Sequence, residues 1–285
     1  ITRRIQKTQT LIIDEISMLD GDRLDLVEKV TRLARGSWKP FGGLQVILCG
    51  DFAYKIKKPV SFGFLDFSTL EKRRFCCEQE LLLNRRLCPE IYLGLVTVTR
   101  EGGVYHLNGR GEVVEYGVRM ARMPEERMMG RVIAAGGLTR AHLDALVAVL
   151  VPFYEKSEHG PAIDRFGTAE AVAVNVLENF EQTRGYVGGG ALSVAQFEAI
   201  SAYARGVLAL EELFARRIAA GRIRDCHGDL YSANICLADR VYIYDCIEFN
   251  QRFRYCDVAS DIAFLAMDLD YHGLPELSAY FVERF

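Results

Sequence analysis

No apolar run in this 285-residue chain reaches the length of about 20 residues that a membrane-spanning helix needs. The stretch Ala141 to Phe153 is too short and is interrupted by His142, Asp144 and Pro152. A membrane is therefore not an expected partner. Ile1-Thr2-Arg3-Arg4 is not followed by a signal-peptide core, and there is no initiator Met. The chain is expected to begin inside a longer reading frame and to reside in the cytoplasm. Neither sign of charge dominates: the net charge is -3, which argues against a general nucleic-acid-binding protein. None of the eight cysteines (Cys49, Cys76, Cys77, Cys88, Cys226, Cys236, Cys246 and Cys256) forms a Cys-x-x-Cys pair. A zinc site is not expected, and free buried thiols in a reducing compartment are. No internal repeat or low-complexity tract is present, and a hydrophobic share of 50% supplies a substantial core.

The most informative stretch is Cys226-His227-Gly228-Asp229-Leu230-Tyr231-Ser232-Ala233-Asn234-Ile235, followed by the apolar run Val241-Tyr242-Ile243-Tyr244 and Asp245. An acid sits in a short turn, an amide lies five positions on, and a second acid ends a hydrophobic strand. Metal-dependent phosphoryl transfer from a nucleotide needs such a set. One carboxylate orients or deprotonates the attacking hydroxyl, while an amide and another carboxylate hold magnesium against the phosphates. Magnesium takes oxygen ligands, so Asn and Asp suit it and the nearby cysteines do not.

At these residues the chain resembles the aminoglycoside phosphotransferase family, a branch of the protein-kinase-like fold. The family's catalytic loop maps onto His227, Gly228, Asp229 and Asn234, and its metal-binding Asp onto Asp245. The wording Asp245-Cys246-Ile247-Glu248-Phe249-Asn250 and Arg254-Tyr255-Cys256-Asp257-Val258-Ala259-Ser260-Asp261 is similar to a bacterial subgroup that joins such a kinase to a separate nucleotide-binding domain. The resemblance implies that Asp229 accepts the hydroxyl proton, that His227 supports the loop backbone, and that Asn234 and Asp245 bind magnesium. Asp257 and Asp261 are expected to cap the following helix and brace the loop. Tyr231 departs from the commoner His of the subgroup.

Residues 1–50 read as a separate β-α-β segment. Thr10-Leu11-Ile12-Ile13 is a short strand ending in Asp14-Glu15, Gly21 to Arg35 carries helical spacing, and Leu44 to Cys49 is a second strand. Leu11 to Leu19 and Lys39 to Phe52 resemble PIF-type, RecD-like DNA helicases, with Asp14 and Glu15 at the Walker B acids. The phosphate-binding Gly-x-x-x-x-Gly-Lys-Ser/Thr loop is missing upstream, so both acids are read as relics. From Gly50-Asp51-Phe52 onward the wording is that of the kinase subgroup. Leu44 to Cys49 is expected to replace a native kinase strand, forming a hairpin turned at Gly50-Asp51 with the strand that follows.

On that following strand Lys55 and Lys57 share a face, and either one suits the nucleotide's phosphates. A helix from about Ser68 to Leu87 carries Glu78 and Glu80; family spacing favours Glu80 as the lysine's partner. Asn84, Arg85 and Arg86 are expected to be solvated. Strands follow at Leu95 to Thr99 and Glu112 to Met120, with turns at Gly102-Gly103 and Asn108-Gly109. Beyond Pro124 the periodicity predicts helices from Thr139, over Ala169 to Phe180, as one long helix over Ser193 to Ala219, and over Pro275 to Phe285, with a loop at Lys156 to Phe166. The long helix offers Phe197, Ile200, Val207, Leu208 and Leu213 for packing. The remaining histidines, His106, His142, His159 and His272, are given ordinary surface or packing roles.

The expected architecture is α+β: the helicase-derived segment over 1–50, a truncated kinase-like small lobe over 51–124, and a mostly helical large lobe over 125–285 that the resemblance implies is cut short. The expected activity is transfer of the gamma-phosphoryl of ATP to a small-molecule hydroxyl, with ATP and magnesium as cofactors. The alternatives are an inactive chimeric fragment and a remnant of a PIF-type helicase.

Overall fold

The computed structural model describes residues 10–13, 46–190 and 192–285. The chain is mixed α+β and divides into two compact units, residues 1–138 with 232–250, and residues 139–231 with 251–285. Asp14, Glu15 and the helix expected over Gly21 to Arg35 lie outside the described residues.

The first unit is built on a six-stranded sheet of β1 (Thr10–Ile13), β2 (Val46–Cys49), β3 (Phe52–Ile56), β4 (Tyr92–Glu101), β5 (Val104–Leu107) and β6 (Glu112–Ala121), in the order β1-β2-β3-β6-β4-β5. β1 and β2 are parallel, and every other pairing is antiparallel. The hairpin expected at Gly50-Asp51 is present: Cys49 pairs with Phe52 and Val46 with Lys55. Gly50 has φ +56°, a conformation open to glycine in a two-residue hairpin loop. The turns at Gly102-Gly103 and Asn108 also use left-handed backbone, and they set off β5 as a strand of its own between the two that periodicity predicts.

Helix α1 (Leu70–Asn84) starts where Thr69 Oγ1 accepts the Lys72 N–H at 3.3 Å. It ends one turn short of the expected Leu87, where the N–H groups of Leu87 and Cys88 both turn back to the Asn84 carbonyl. Its inner face gives Cys77 and Leu81 to a core completed by Ala53, Cys88, Ile91, Tyr92, Val118 and Met120. A two-stranded ladder, Ile235–Leu237 with Val241–Ile243, belongs to the same unit and lays Tyr242 and Tyr244 against that core.

The second unit contains α2 (Arg140–Lys156), α3 (Ala169–Thr183), α4 (Val194–Leu208), α5 (Glu211–Ala219), α6 (Val258–Tyr271) and α7 (Pro275–Arg284), with a strand pair Ile223–Asp225 and Tyr255–Asp257. α2 begins at a capping box in which the Thr139 N–H donates to Nδ1 of His142 at 3.2 Å. Leu143, Leu146 and Leu150 of α2 are buried, as are Leu265 and Leu269 of α6 and Phe281 of α7.

Two expectations are corrected here. The single helix over Ser193 to Ala219 is two, because the chain leaves helical geometry at Ala209-Leu210 and Glu211-Glu212 open a new first turn, where acids favour a helix start. Of its five packing residues, Ile200 and Leu213 are exposed and Phe197, Val207 and Leu208 are half-buried. The loop expected over Lys156 to Phe166 contains a short helix, Pro161–Asp164, started by a proline whose missing N–H has no helical partner to lose. Among the described residues no helix is long and apolar enough to cross a membrane.

Candidate functional site

In the first unit, three elements bring five charged side chains together. β3 carries Lys55, and Lys57 follows one residue past the strand's end, so both reach the same side. α1 directs Glu80 inward. The segment after Val241–Ile243 supplies Asp245 and Glu248. Lys55 Nζ lies 3.0 Å from Glu80 Oε1 and also bonds Asp245 Oδ1. Lys57 Nζ lies 2.5 Å from Glu80 Oε2 and also bonds Glu248 Oε1. The result is an alternating chain, Asp245–Lys55–Glu80–Lys57–Glu248. Its middle is dry: the Glu80 side chain has no exposed surface and Lys57 only 4%. Its Asp245 end is open, with 41% of that side chain exposed.

Burial and pairing compete along this chain. Burial pulls the Lys55 ammonium down, but the Asp245 and Glu80 carboxylates more than offset it and hold the group well above the ordinary lysine value. Lys57 is treated the same way by Glu80 and Glu248. Burial pushes the Glu80 carboxyl up, and the two ammonium groups bring it below the usual value. At Glu248 burial wins, so its carboxyl is raised despite Lys57. Both lysines are held as cations and Glu80 as an anion.

Asp245 has φ +64°, a left-handed backbone that a non-glycine residue adopts at a cost of about 1 kcal/mol. Two neighbouring hydrogen bonds maintain it. The Asp245 N–H donates to the Tyr92 hydroxyl at 3.1 Å, and the Cys246 N–H donates to Asn84 Oδ1 at 2.9 Å. Asn84 also donates through Nδ2 to the Glu80 carbonyl at 2.8 Å. Asn84 is thus fully buried, not solvated as expected, because its side chain joins α1 to the Asp245 segment. Arg85 and Arg86 are exposed, and Glu78 pairs with Arg74 on the outer face of the helix. Asn234 is buried, and its carbonyl accepts the Tyr244 N–H at 3.0 Å. The two-stranded ladder therefore puts Asn234 and Asp245 at the same end.

The Asp229 turn lies in the second unit. His227 is fully buried, and its Nδ1 accepts the Asp229 N–H at 3.3 Å. Asp261 accepts the N–H groups of His227 at 2.7 Å and Gly228 at 2.9 Å, along with the Tyr154 hydroxyl at 3.0 Å. Gly228 has φ +86°, and a Cβ there would meet the Phe253 carbonyl oxygen at 2.9 Å, so glycine alone fits the turn. Asp257 caps α6 by accepting the Ala259 N–H at 2.9 Å and is gripped by Arg217 through two bonds of 2.6 Å. The bracing expected of Asp257 and Asp261 is what these bonds supply.

Glu248, Tyr92 and Asn84 are the residues that sequence reasoning missed. Glu248 stands in the quoted wording three positions after Asp245, but nothing in the sequence ties it to a lysine 191 positions away. Among the described residues no group of three or more His, Cys, Asp or Glu side chains is arranged to hold a metal ion. A pair of oxygen donors that leaves room for phosphate is the arrangement magnesium accepts most often in nucleotide sites.

Comparison with known proteins divides the chain. Residues 1–61 match the profile of the PIF1-like helicase family. The ATP-dependent DNA helicase PIF1 of Emericella nidulans is 50% identical over 46 residues, 16% of this chain and 6% of that helicase. A longer similarity, 36% identity over 245 residues, joins the chain to uncharacterized proteins of Mycobacterium tuberculosis and Mycobacterium bovis. It covers 84% of this chain and 47% of each relative, so the chain spans about half the length of these mycobacterial relatives.

Proposed function

We propose that the chain is the kinase-like part of an ATP-dependent phosphotransferase of the aminoglycoside phosphotransferase type, acting on a small-molecule hydroxyl. The observation that carries the reading is the Asp245–Lys55–Glu80 contact, buried at its carboxylate centre and open at its Asp245 end. A lysine held by a helix glutamate and within reach of a metal-binding aspartate is what phosphate positioning requires. Of the two candidate lysines, Lys55 touches Asp245, whereas Lys57 is enclosed by Glu80 and Glu248. Lys55 is therefore the lysine offered to phosphate.

The donor set fits the cofactors. By their chemistry Asp245 and Asn234 would offer oxygen to magnesium, and Lys55 would offer a cation to the phosphates. Magnesium, when bound, neutralises charge on the phosphate oxygens. The chain's own residues supply the rest: Glu80 fixes Lys55, Tyr92 and Asn84 fix the backbone of Asp245 and Cys246, and Asp229 is assigned the hydroxyl's proton by the resemblance. His227 and Asp261 hold the Asp229 turn in shape. ADP formation with a panel of small-molecule alcohols and sugars tests the reading. The wild type should turn over, and Asp229→Ala and Asp245→Ala should each lose about a hundredfold or more. Equal rates in all three would refute it.

A second reading rests on the match of residues 1–61 to PIF1-like helicases. This segment is then a helicase remnant with residual affinity for single-stranded DNA. Such binding would weaken steeply with salt as counterions are released. Salt-independent retention, or none at low salt, rejects it.

A further inference from the structure

Two cysteines flank the strand pair from which the Asp229 turn springs, and the proposed reading uses neither. In that pair Tyr255 lies opposite Asp225, and Cys256 opposite Arg224. The Cys226 N–H donates to the Arg254 carbonyl at 3.0 Å, which carries the same register one step further. Cross-strand partners share a face of an antiparallel ladder, and so do alternate residues of one strand. Cys226 and Cys256 are therefore diagonal neighbours on one face. Cys226 Sγ lies 3.5 Å from the Cys256 carbonyl oxygen, and the two thiols hydrogen-bond each other. Cys226 is fully buried, whereas Cys256 is partly exposed. Cys88, by contrast, donates its S–H to the backbone carbonyls of Asn84 and Ile243.

The two sulfurs are not equivalent. The Cys226 S–H draws the Cys256 thiol down, but burial and the carboxylates of Asp261, Asp257 and Asp225 outweigh it and leave the value raised. Burial holds the Cys226 thiol well above its ordinary value, and Tyr154 faces both sulfurs. Cys256 is thus the more accessible thiol and the readier thiolate, and Cys226 is the sulfur at hand to resolve it. Diagonal residues of a regular ladder have Cα atoms about 7–8 Å apart, and a disulfide prefers about 5.5–6 Å. Closing a bond must pull the two strand ends together. Cys226 runs directly into His227-Gly228-Asp229, so the pull falls on the turn whose N–H groups Asp261 accepts.

We infer that Cys226 and Cys256 form an oxidation site, at which hydrogen peroxide closes a reversible disulfide that pulls the Asp229 turn out of shape. The Cys256 thiolate attacks one peroxide oxygen. The O–O bond breaks, and the departing hydroxide takes up the proton that Cys256 gave up and leaves as water. The Cys256 sulfur is now a sulfenic acid. The Cys226 sulfur attacks it, the S–O bond breaks, and the hydroxyl leaves with the Cys226 proton as a second water. Two thiols are oxidised, one peroxide is reduced to two waters, and a dithiol reverses the bond. A link strained by the diagonal geometry is the more easily reduced. Closure of the disulfide stands apart from the phosphotransferase reading, whereas the loss of activity it brings rests on that reading.

The test exposes the full chain to hydrogen peroxide at pH 8, blocks free thiols with iodoacetamide and maps the unreduced peptides by mass spectrometry. Hydrogen exchange of the His227 and Gly228 amides is followed in the same samples. A link between Cys226 and Cys256 should form in the wild type and vanish with dithiothreitol. Exchange at the two amides should rise about tenfold or more in the linked chain and return on reduction. Cys256→Ser should give neither link nor rise, and Cys226→Ala takes its place if it fails to fold by circular dichroism. No link, or oxidation only to sulfinic acid, overturns the inference, and a link with unchanged exchange overturns its effect on the turn. ADP formation should fall at least about tenfold in the linked wild type and survive peroxide in Cys256→Ser. Absence of turnover before oxidation refutes the phosphotransferase reading alone, because link and exchange are read without activity.

Discussion

Lys55 Nζ lies 3.0 Å from Oε1 of Glu80, a carboxylate with no exposed surface whose other oxygen is taken by Lys57. Removing the shared acid leaves two ammonium groups facing each other in a dry interior. Glu80→Ala should destabilise the first unit by about 3 to 5 kcal/mol, the range for breaking a buried ion pair. Urea unfolding checks this. A loss under about 1 kcal/mol would mean that the pairing is much wetter than its burial implies.

Glu80 and Glu248 should give opposite pH responses. The folded carboxyl of Glu80 is held below its ordinary value, so its stabilisation is present above about pH 4.5 and is lost as pH falls further. Glu248 is raised by burial, so the native state binds its proton first. Its contribution therefore grows as pH falls through its raised value toward 4.5. Unfolding curves of wild type and Glu248→Gln across this range should show the wild type gaining stability relative to the variant on acidification. A constant difference would contradict the assignment.

Asp261 is a shared acceptor in the Asp229 turn. Asp261→Ala strips the partner from the buried N–H of His227, the N–H of Gly228 and the Tyr154 hydroxyl, and should destabilise the second unit by about 2 to 4 kcal/mol. Gly228→Ala should also destabilise, through its left-handed backbone and the approach to Phe253. Thermal melting of each variant tests both, and a Gly228→Ala variant as stable as the wild type would show that the turn relaxes without penalty.

Burial pushes the thiols of Cys76 and Cys236 up to about 11, and those of Cys77 and Cys88 up to about 12. Alkylation at pH 8 should therefore be slow at these four in the folded chain and fast after denaturation. Mass spectrometry of labelled peptides resolves the sites. Rapid labelling of Cys77 while the chain is folded would contradict its enclosure in the core.

What the sequence makes visible here is local. Two lysines at alternate positions share a face because a strand has period two, and Gly50-Asp51 announces its hairpin because few other residues turn in two steps. The acceptor roles of Asp257 and Asp261 are readable because each lies near the groups it serves or in a familiar wording. The buried role of Asn84 is not legible in the sequence because a polar residue at the end of a helix is usually wet, and its partner, the Cys246 N–H, is 162 positions away. Glu248 stayed without a role for the same reason. The division of the Ser193 to Ala219 helix escaped because periodicity runs through the break unchanged, while the decision at Ala209-Leu210 is made by backbone geometry.

The central claim is that Lys55, Glu80 and Asp245 form the phosphate end of a nucleotide site. Its most direct test is calorimetric titration of ATP into wild type and Lys55→Met, each with and without magnesium. The account predicts saturable binding by the wild type that requires magnesium, and at least about a tenfold loss of affinity in Lys55→Met. Wild-type binding unchanged by the variant, or no binding with magnesium present, would contradict it.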